Sequence, residues 1–239
     1  MVNVVPPDSA MVVLDEAHAA LSDTIHVGVL VPWANAVVEA ELPRLGLDRV
    51  VFHYARLVPA NRATSLDLRF LRELNSAVPA AIRELSRLPL AGTLLACTSA
   101  GFAEQEGLSL PAASAFDALV TTLNRMSIDR ILLVTPYPHW LTTIEASAFT
   151  RRGIVVLAQS SLDRDDGYSR VRPAEIHSTL ALISPAALAG AQAIVLSCTA
   201  WPTLGLLGGL EDSFGIAVLS SNLAMAIHAM TSDEIGTVA

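Results

Sequence analysis

Two stretches, Leu94-Leu95-Ala96-Cys97-Thr98-Ser99-Ala100-Gly101 and Val195-Leu196-Ser197-Cys198-Thr199-Ala200-Trp201, decide how this chain is read. Each is an apolar run that stops at Cys-Thr, and the two cysteines are the only ones in 239 residues. A short continuous apolar run is the pattern of a strand buried on both faces of a parallel sheet. Open α/β sheets bind ligands at the C-terminal ends of such strands. Two thiols at two such ends point to a pair facing one small substrate.

The chain around these runs repeats. Ile25–Val31 reads as a strand ending at Pro32-Trp33-Ala34-Asn35, followed by a helix over about Ala36–Leu42 and a strand over Arg49–Tyr54. Apolar residues at Leu68, Leu71, Leu74, Val78, Ile82 and Leu85 define one face of a helix within Asp67–Arg87. The Cys97 strand begins near Gly92, Leu110–Ala113 is a weak fourth strand, and Ala115–Met126 a helix. The pattern then restarts. Arg130–Tyr137 resembles His26–Trp33 and Ile154–Leu157 resembles Val50–His53, each about 104 residues on. The Cys198 run follows the Cys97 run by 101 residues, and Gly215–Leu219 matches the fourth strand. Four elements in one order at nearly one displacement are the mark of an internal duplication.

Strands alternating with helices predict parallel sheets with right-handed crossovers. The fold class expected is α/β, with two pseudo-symmetric Rossmann-like domains, each with a parallel four-stranded sheet, and a site at their interface. The division expected is 24–117 plus 220–239 for the first domain and 118–219 for the second, with the last helix, Asn222–Met230, returning to cover the first half. Residues 1–23 read as a loose arm with a short helical piece over Asp15–Leu21.

Composition narrows the function. The chain is 52% hydrophobic and 16% charged, which fits a globular fold with a substantial core. A net charge of −8 argues against a nucleic-acid surface. All 15 basic residues are arginine, so neither a lysine Schiff base nor a P-loop lysine is present. The uncharged stretch between Glu175 and Glu211 is broken by Pro185, Gln192, Ser197 and Pro202, which suits a buried strand with its flanking helix and loop better than a membrane span. The N-terminus lacks a basic region followed by an apolar one, so a cytoplasmic location is expected. An apolar surface would suit a homodimer.

The thiolate is the reactive form of cysteine, and backbone N–H groups at a strand-to-helix turn favour an anion. Thr98, Ser99 and Thr199 add hydroxyls able to donate to a carboxylate. Two thiols on opposite faces of a carbon can remove a proton from one side and return it from the other. Alternatively, one adds to a double bond while the other manages the proton. A metal is not expected, because no other His or Cys is near either thiol in sequence.

At these residues the chain resembles the aspartate/glutamate racemase superfamily, in the branch holding maleate cis-trans isomerase and arylmalonate decarboxylase. The resemblance runs over about Ile25–Met230. It is carried by Val31-Pro32-x-x-Asn35, Ala96-Cys97-Thr98-Ser99, Thr135-Pro136-Tyr137, Ser197-Cys198-Thr199 and Ser220-Ser221-Asn222. It implies a cofactor-independent enzyme acting on a small carboxylate or dicarboxylate, with no nucleic-acid or membrane partner. By the same resemblance Cys97 is the nucleophile and Cys198 the partner acid/base. Pro32, Asn35, Thr98, Ser99, Tyr137 and Thr199 belong to the substrate pocket. Having both cysteines favours isomerisation over decarboxylation, and a two-base racemase or epimerase is the alternative. A non-catalytic carboxylate-binding protein on the same scaffold is a third reading.

One region departs from the isomerase pattern. Ser160–Tyr168 contains no asparagine where the isomerases carry a second one for substrate. Acidic residues there would repel a dicarboxylate unless Arg164 or Arg170 compensates. Trp33 and Trp201 either line the pocket or pack at the domain seam. His26 and His53 read as structural, His139 as able to reach the cleft, and Asp163–Asp166 as a solvated loop face. Asn222 caps the last helix or contacts substrate.

Overall fold

The computed structural model describes residues 9–60, 67–103 and 112–231. Its strands fall where apolar runs lack helical spacing. β1 (Ile25–Pro32), β2 (Val50–Leu57), β3 (Gly92–Leu95) and β4 (Ala113–Ser114) form one parallel sheet in the order β2-β1-β3-β4. β5 (Arg130–Thr135), β6 (Val155–Ser161), β7 (Ala193–Leu196) and β8 (Ala217–Ser220) form a second parallel sheet in the matching order β6-β5-β7-β8. The duplication read in the sequence is therefore a duplication of topology. Two equivalent backbone hydrogen bonds underline it. Ala96 N–H donates to Leu30 C=O and Ser197 N–H to Val134 C=O, each at 2.9 Å, just before the cysteine of its half.

Position in the sheet explains which runs were plain. β3, β7 and β8 are buried along their whole length, and β5 is buried after Arg130. β6 is an edge strand and alternates, leaving Val155 and Leu157 exposed. It also runs on to Ser161, past the Leu157 end expected from its apolar part.

Helices fill the crossovers. α1 (Ala10–Ala19) precedes β1, while α2 (Val38–Glu41) and a 3-10 turn (Leu42–Leu45) follow it. α3 (Leu68–Leu85) starts at Asp67, whose side chain accepts the Phe70 N–H at 2.8 Å. It buries Leu71, Leu74, Val78 and Leu85 against a core shared with Leu30, Leu57 and Leu95. α4 (Thr98–Ala103) follows Cys97, and α5 (Ala115–Arg125) opens on a Ser114–Asp117 capping box. Gly101 lets α4 approach that start. A Cβ there would stand 2.0 Å from Ser114 Oγ and 2.8 Å from Phe116 Cβ.

The second half carries α6 (His139–Arg151), α7 (Pro173–Leu180), α8 (Pro185–Gly190) and α9 (Leu207–Phe214). α10 (Ser221–Thr231) is almost wholly buried and packs on α5 and α1. Among the described residues no helix is long and apolar enough to cross a membrane.

Two expectations need correction. Residues 9–19 are not loose arm. Ser9 accepts the Met11 N–H, its hydroxyl donates to buried Glu211, and Ala10, Leu14 and Ala17 are buried. The expected fourth strand at Leu110–Ala113 is observed only as Ala113–Ser114, and Leu110 and Pro111 lie outside the described residues.

Candidate active site

Each cysteine lies just beyond a central strand, Cys97 two residues past β3 and Cys198 two past β7. Both line one cavity of about 370 Å³ at the C-terminal ends of the two sheets. Pro32, Asn35, Thr98, Ser99, Tyr137 and Thr199 line it too, so the structure brings all eight sequence-chosen residues together.

The Cys97 corner is rich in donors. Ser99 Oγ lies 3.4 Å from Cys97 Sγ, and the backbone N–H groups of Ser99 and Ala100 are directed at the sulfur. Burial still dominates and raises the thiol above its ordinary value, while these three hydrogen bonds pull it back. At the Cys198 corner the thiol is pushed up to about 12, again chiefly by burial. The Tyr137 hydroxyl and the Ala200 N–H oppose that shift, and the negative charges of a Cys97 thiolate and of Glu145 reinforce it. Backbone donors favour the thiolate at both corners, as expected, and desolvation outweighs them.

Several polar groups are already committed within the protein. The Thr199 hydroxyl donates to Ala96 C=O at 2.7 Å and accepts from Asn35 Nδ2 at 3.1 Å, stitching the two halves beside the cysteines. Its single proton is used there, so the Thr199 side chain is a bridge and not the carboxylate donor expected. Asn35 Oδ1 accepts the N–H groups of Val37 and Val38, and one hydrogen of its amide is left for the cavity. Arg56 holds the same turn by donating to Trp33 C=O at 3.2 Å and Asn35 C=O at 2.9 Å. Thr98 Oγ1 lies 3.1 Å from Ser221 Oγ.

Other side chains fall differently from expectation. Trp33 lines the cavity, whereas Trp201 is fully buried away from it. His139 is exposed at the start of α6 and does not line the cavity. Asp165 and Asp166 are exposed, as expected of a solvated face, and they also form part of the cavity wall with Gly167, Tyr168, Ser169 and Arg170. Asn222 is buried behind the site and donates to Glu41 and to Thr199 C=O. His26 and His53 stack with their nitrogens 2.8 Å apart, and neither lines the cavity.

Sequence reasoning missed Phe70 and Glu145, and of the 165–170 wall it raised only the acidic residues and Arg170 as meeting a diacid. Phe70 lies off the apolar stripe of α3, at the margin of its core, and lines the cavity as well. Glu145 is buried on α6, accepts the Ser197 hydroxyl, and is pushed up to about 8 by desolvation. It follows Glu41 by the same 104-residue displacement as the strands, a signal present in the sequence. Among the described residues no three His, Cys, Asp or Glu side chains are grouped to hold a metal ion.

The sequence model of the family described as arylmalonate decarboxylase matches residues 100–238. The chain is 25% identical to a maleate isomerase of Alcaligenes faecalis over 224 residues, covering 83% of this chain and 87% of that one. It superposes with a TM-score of 0.73 on a Nocardia farcinica maleate cis-trans isomerase, a cysteine-to-serine mutant with a covalently bound succinylcysteine intermediate. That pair is 24% identical and covers 85% of this chain and 90% of the other. A cysteine-to-alanine form of the maleate isomerase of Pseudomonas putida, solved with maleate, also gives a TM-score of 0.73 at 20% identity, over 84% of this chain and 89% of that one.

Proposed function

Because this chain belongs to the arylmalonate decarboxylase family, we propose that it acts without a cofactor on a small carboxylic acid, isomerising the double bond of maleate or a related unsaturated diacid. The observation that carries this reading is that both cysteines, from equivalent points of two duplicated sheets, line a single cavity. The maleate isomerases that the chain resembles support the choice of a diacid.

Cys97 acts as thiolate and adds to one alkene carbon. A C–S bond forms, the π pair moves to the neighbouring carbon, and the adjacent carboxylate delocalises it as an enediolate. Cys198 holds its proton until that charge appears, then gives it to the carbanionic carbon and becomes the thiolate, which the Tyr137 hydroxyl steadies. The former double bond is now single and rotates. Cys198 retakes the proton, the C–S bond breaks, and the trans alkene leaves with Cys97 restored as thiolate. No electron or proton is gained or lost over the cycle. The raised thiol value of Cys198 suits a group that must stay protonated until needed.

The test is conversion of maleate to fumarate by the wild-type protein and by Cys97→Ala and Cys198→Ala. Each variant should lose about 10³-fold or more in turnover, the scale for removing one member of a catalytic pair. Wild-type-like turnover in either variant removes the mechanism. Hydrogen exchange next to a carboxylate in deuterated water, without isomerisation, would instead support the two-base racemase. Carbon dioxide release from an arylmalonate would support the reaction that names the family.

A further inference from the structure

We propose that Arg170 makes this site select a diacid over a monoacid by binding the substrate carboxylate that lies away from the two cysteines. The inference rests on the reading of the ligand as a carboxylic acid seated between Cys97 and Cys198. Of the described residues lining the cavity, only Asp165, Asp166 and Arg170 carry charged side chains, and all three lie in the wall that follows β6. A second carboxylate approaching that wall meets two acids and one base. Arg170 is the group that makes its approach favourable.

Arg164, the other arginine the sequence offered, is already spent. Its guanidinium donates to Glu175, which also accepts from Arg172, and Arg164 is absent from the cavity lining. Arg170 is differently placed. Its Nη2 stands 3.7 Å from Asp166 Oδ1, and the two side chains are 76% and 81% exposed. So long and so exposed a pair is weakly held. The guanidinium can therefore exchange Asp166 for a substrate carboxylate, which its planar fork accepts through two parallel hydrogen bonds.

Gly167 lies beneath this head group. Its φ is +68°, which a side chain rarely adopts, and a Cβ built there would meet Arg170 Nη2 at 2.7 Å. The guanidinium thus lies over the Gly167 α-carbon, and a side chain at 167 would make its flexible end shift. Asp166 holds the arginine until a better-matched carboxylate arrives.

The test uses succinate and its monomethyl ester, which have no double bond to isomerise, in calorimetric titrations of the wild type and of Arg170→Ala, Arg170→Lys and Asp166→Asn. Arg170→Ala should weaken succinate by about tenfold, the scale of one charge-assisted contact, and the monoester by less than about threefold. Arg170→Lys should fall between, since it keeps charge and loses the fork. Asp166→Asn should tighten succinate, and this arm stands even if Arg170→Ala folds poorly. Equal weakening of both ligands by Arg170→Ala, or none, overturns the proposal. If the selective loss occurs while the wild type leaves maleate unchanged, the diacid assignment stands and the isomerase reading fails. If maleate is isomerised with a KM indifferent to Arg170→Ala, the reverse holds.

Discussion

The Cys97 and Cys198 corners occupy matching places in matching sheets, yet the groups around their sulfurs differ. Cys97 leads into α4, and a serine hydroxyl with two backbone N–H groups converges on its sulfur. Cys198 leads into a turn, receives the Tyr137 hydroxyl and one N–H, and has Glu145 behind it. Duplication supplied two equivalent thiols, and divergence around them gave one three hydrogen-bond donors and the other two with a carboxyl group nearby. An addition–elimination needs such inequality: a nucleophile that gives up its proton and a partner that keeps it.

The sharpest way to break this contrast is to look for a trapped adduct. Cys198→Ser incubated with maleate should accumulate a covalent adduct on Cys97, read as a mass gain on the peptide containing it. Cys97→Ser should accumulate none on Cys198. An adduct on Cys198 would reverse the assignment of roles.

Alkylation of the protein alone sharpens the same comparison. Cys97 should react with iodoacetamide about tenfold faster than Cys198 at pH 8, because reactivity follows the thiolate fraction. Both thiols are raised, so both rates should climb with pH up to and beyond pH 9. Equal rates would show that the donors around Cys97 do not distinguish it.

Tyr137→Phe probes the other corner. It removes the hydroxyl that steadies a Cys198 thiolate and leaves the Cys97 donors in place. Turnover should fall about ten- to a hundredfold, the range for a hydrogen bond to a charged group. Cys97 alkylation should change by less than about threefold, since that thiol keeps its own hydrogen bonds. A matching fall at Cys97 would mean that Tyr137 serves the whole pocket and not one corner.

What the sequence disclosed follows from the same duplication. Interior strands such as β3 and β7 are apolar on both faces, so their Cys-Thr ends could be read directly. The β6 edge alternates, and the 165–170 wall beyond it has the composition of a solvated acidic loop, so only the resemblance drew attention to its acids and Arg170. Its role as a cavity wall depends on how the two sheets face each other, which no local pattern encodes. Likewise, Thr199 read as a ligand donor because a sequence does not tell which acceptor a hydroxyl finds. Only the packed halves show that Ala96 C=O takes its proton.

Glu41 and Glu145 carry the contrast into the core. Glu41 Oε1 accepts the N–H groups of Thr203 and Leu204, and its Oε2 accepts Asn222 Nδ2. Glu145 has only the Ser197 hydroxyl on one oxygen, while its other oxygen is buried without a partner among the described residues. In the unfolded chain Glu145 ionises near the ordinary carboxylate value of about 4.3. In the fold burial holds its proton until about pH 8. Between those values the native state binds a proton that the unfolded chain has released, so stability declines as pH rises across that window and then levels. Glu145→Gln keeps an acceptor for Ser197 and cannot ionise. Its melting temperature should match the wild type near pH 4.5 and exceed it by a growing margin up to about pH 8, by a few degrees. A constant offset at every pH would mean that Glu145 is ionised in the fold and that its lone hydroxyl partner is sufficient.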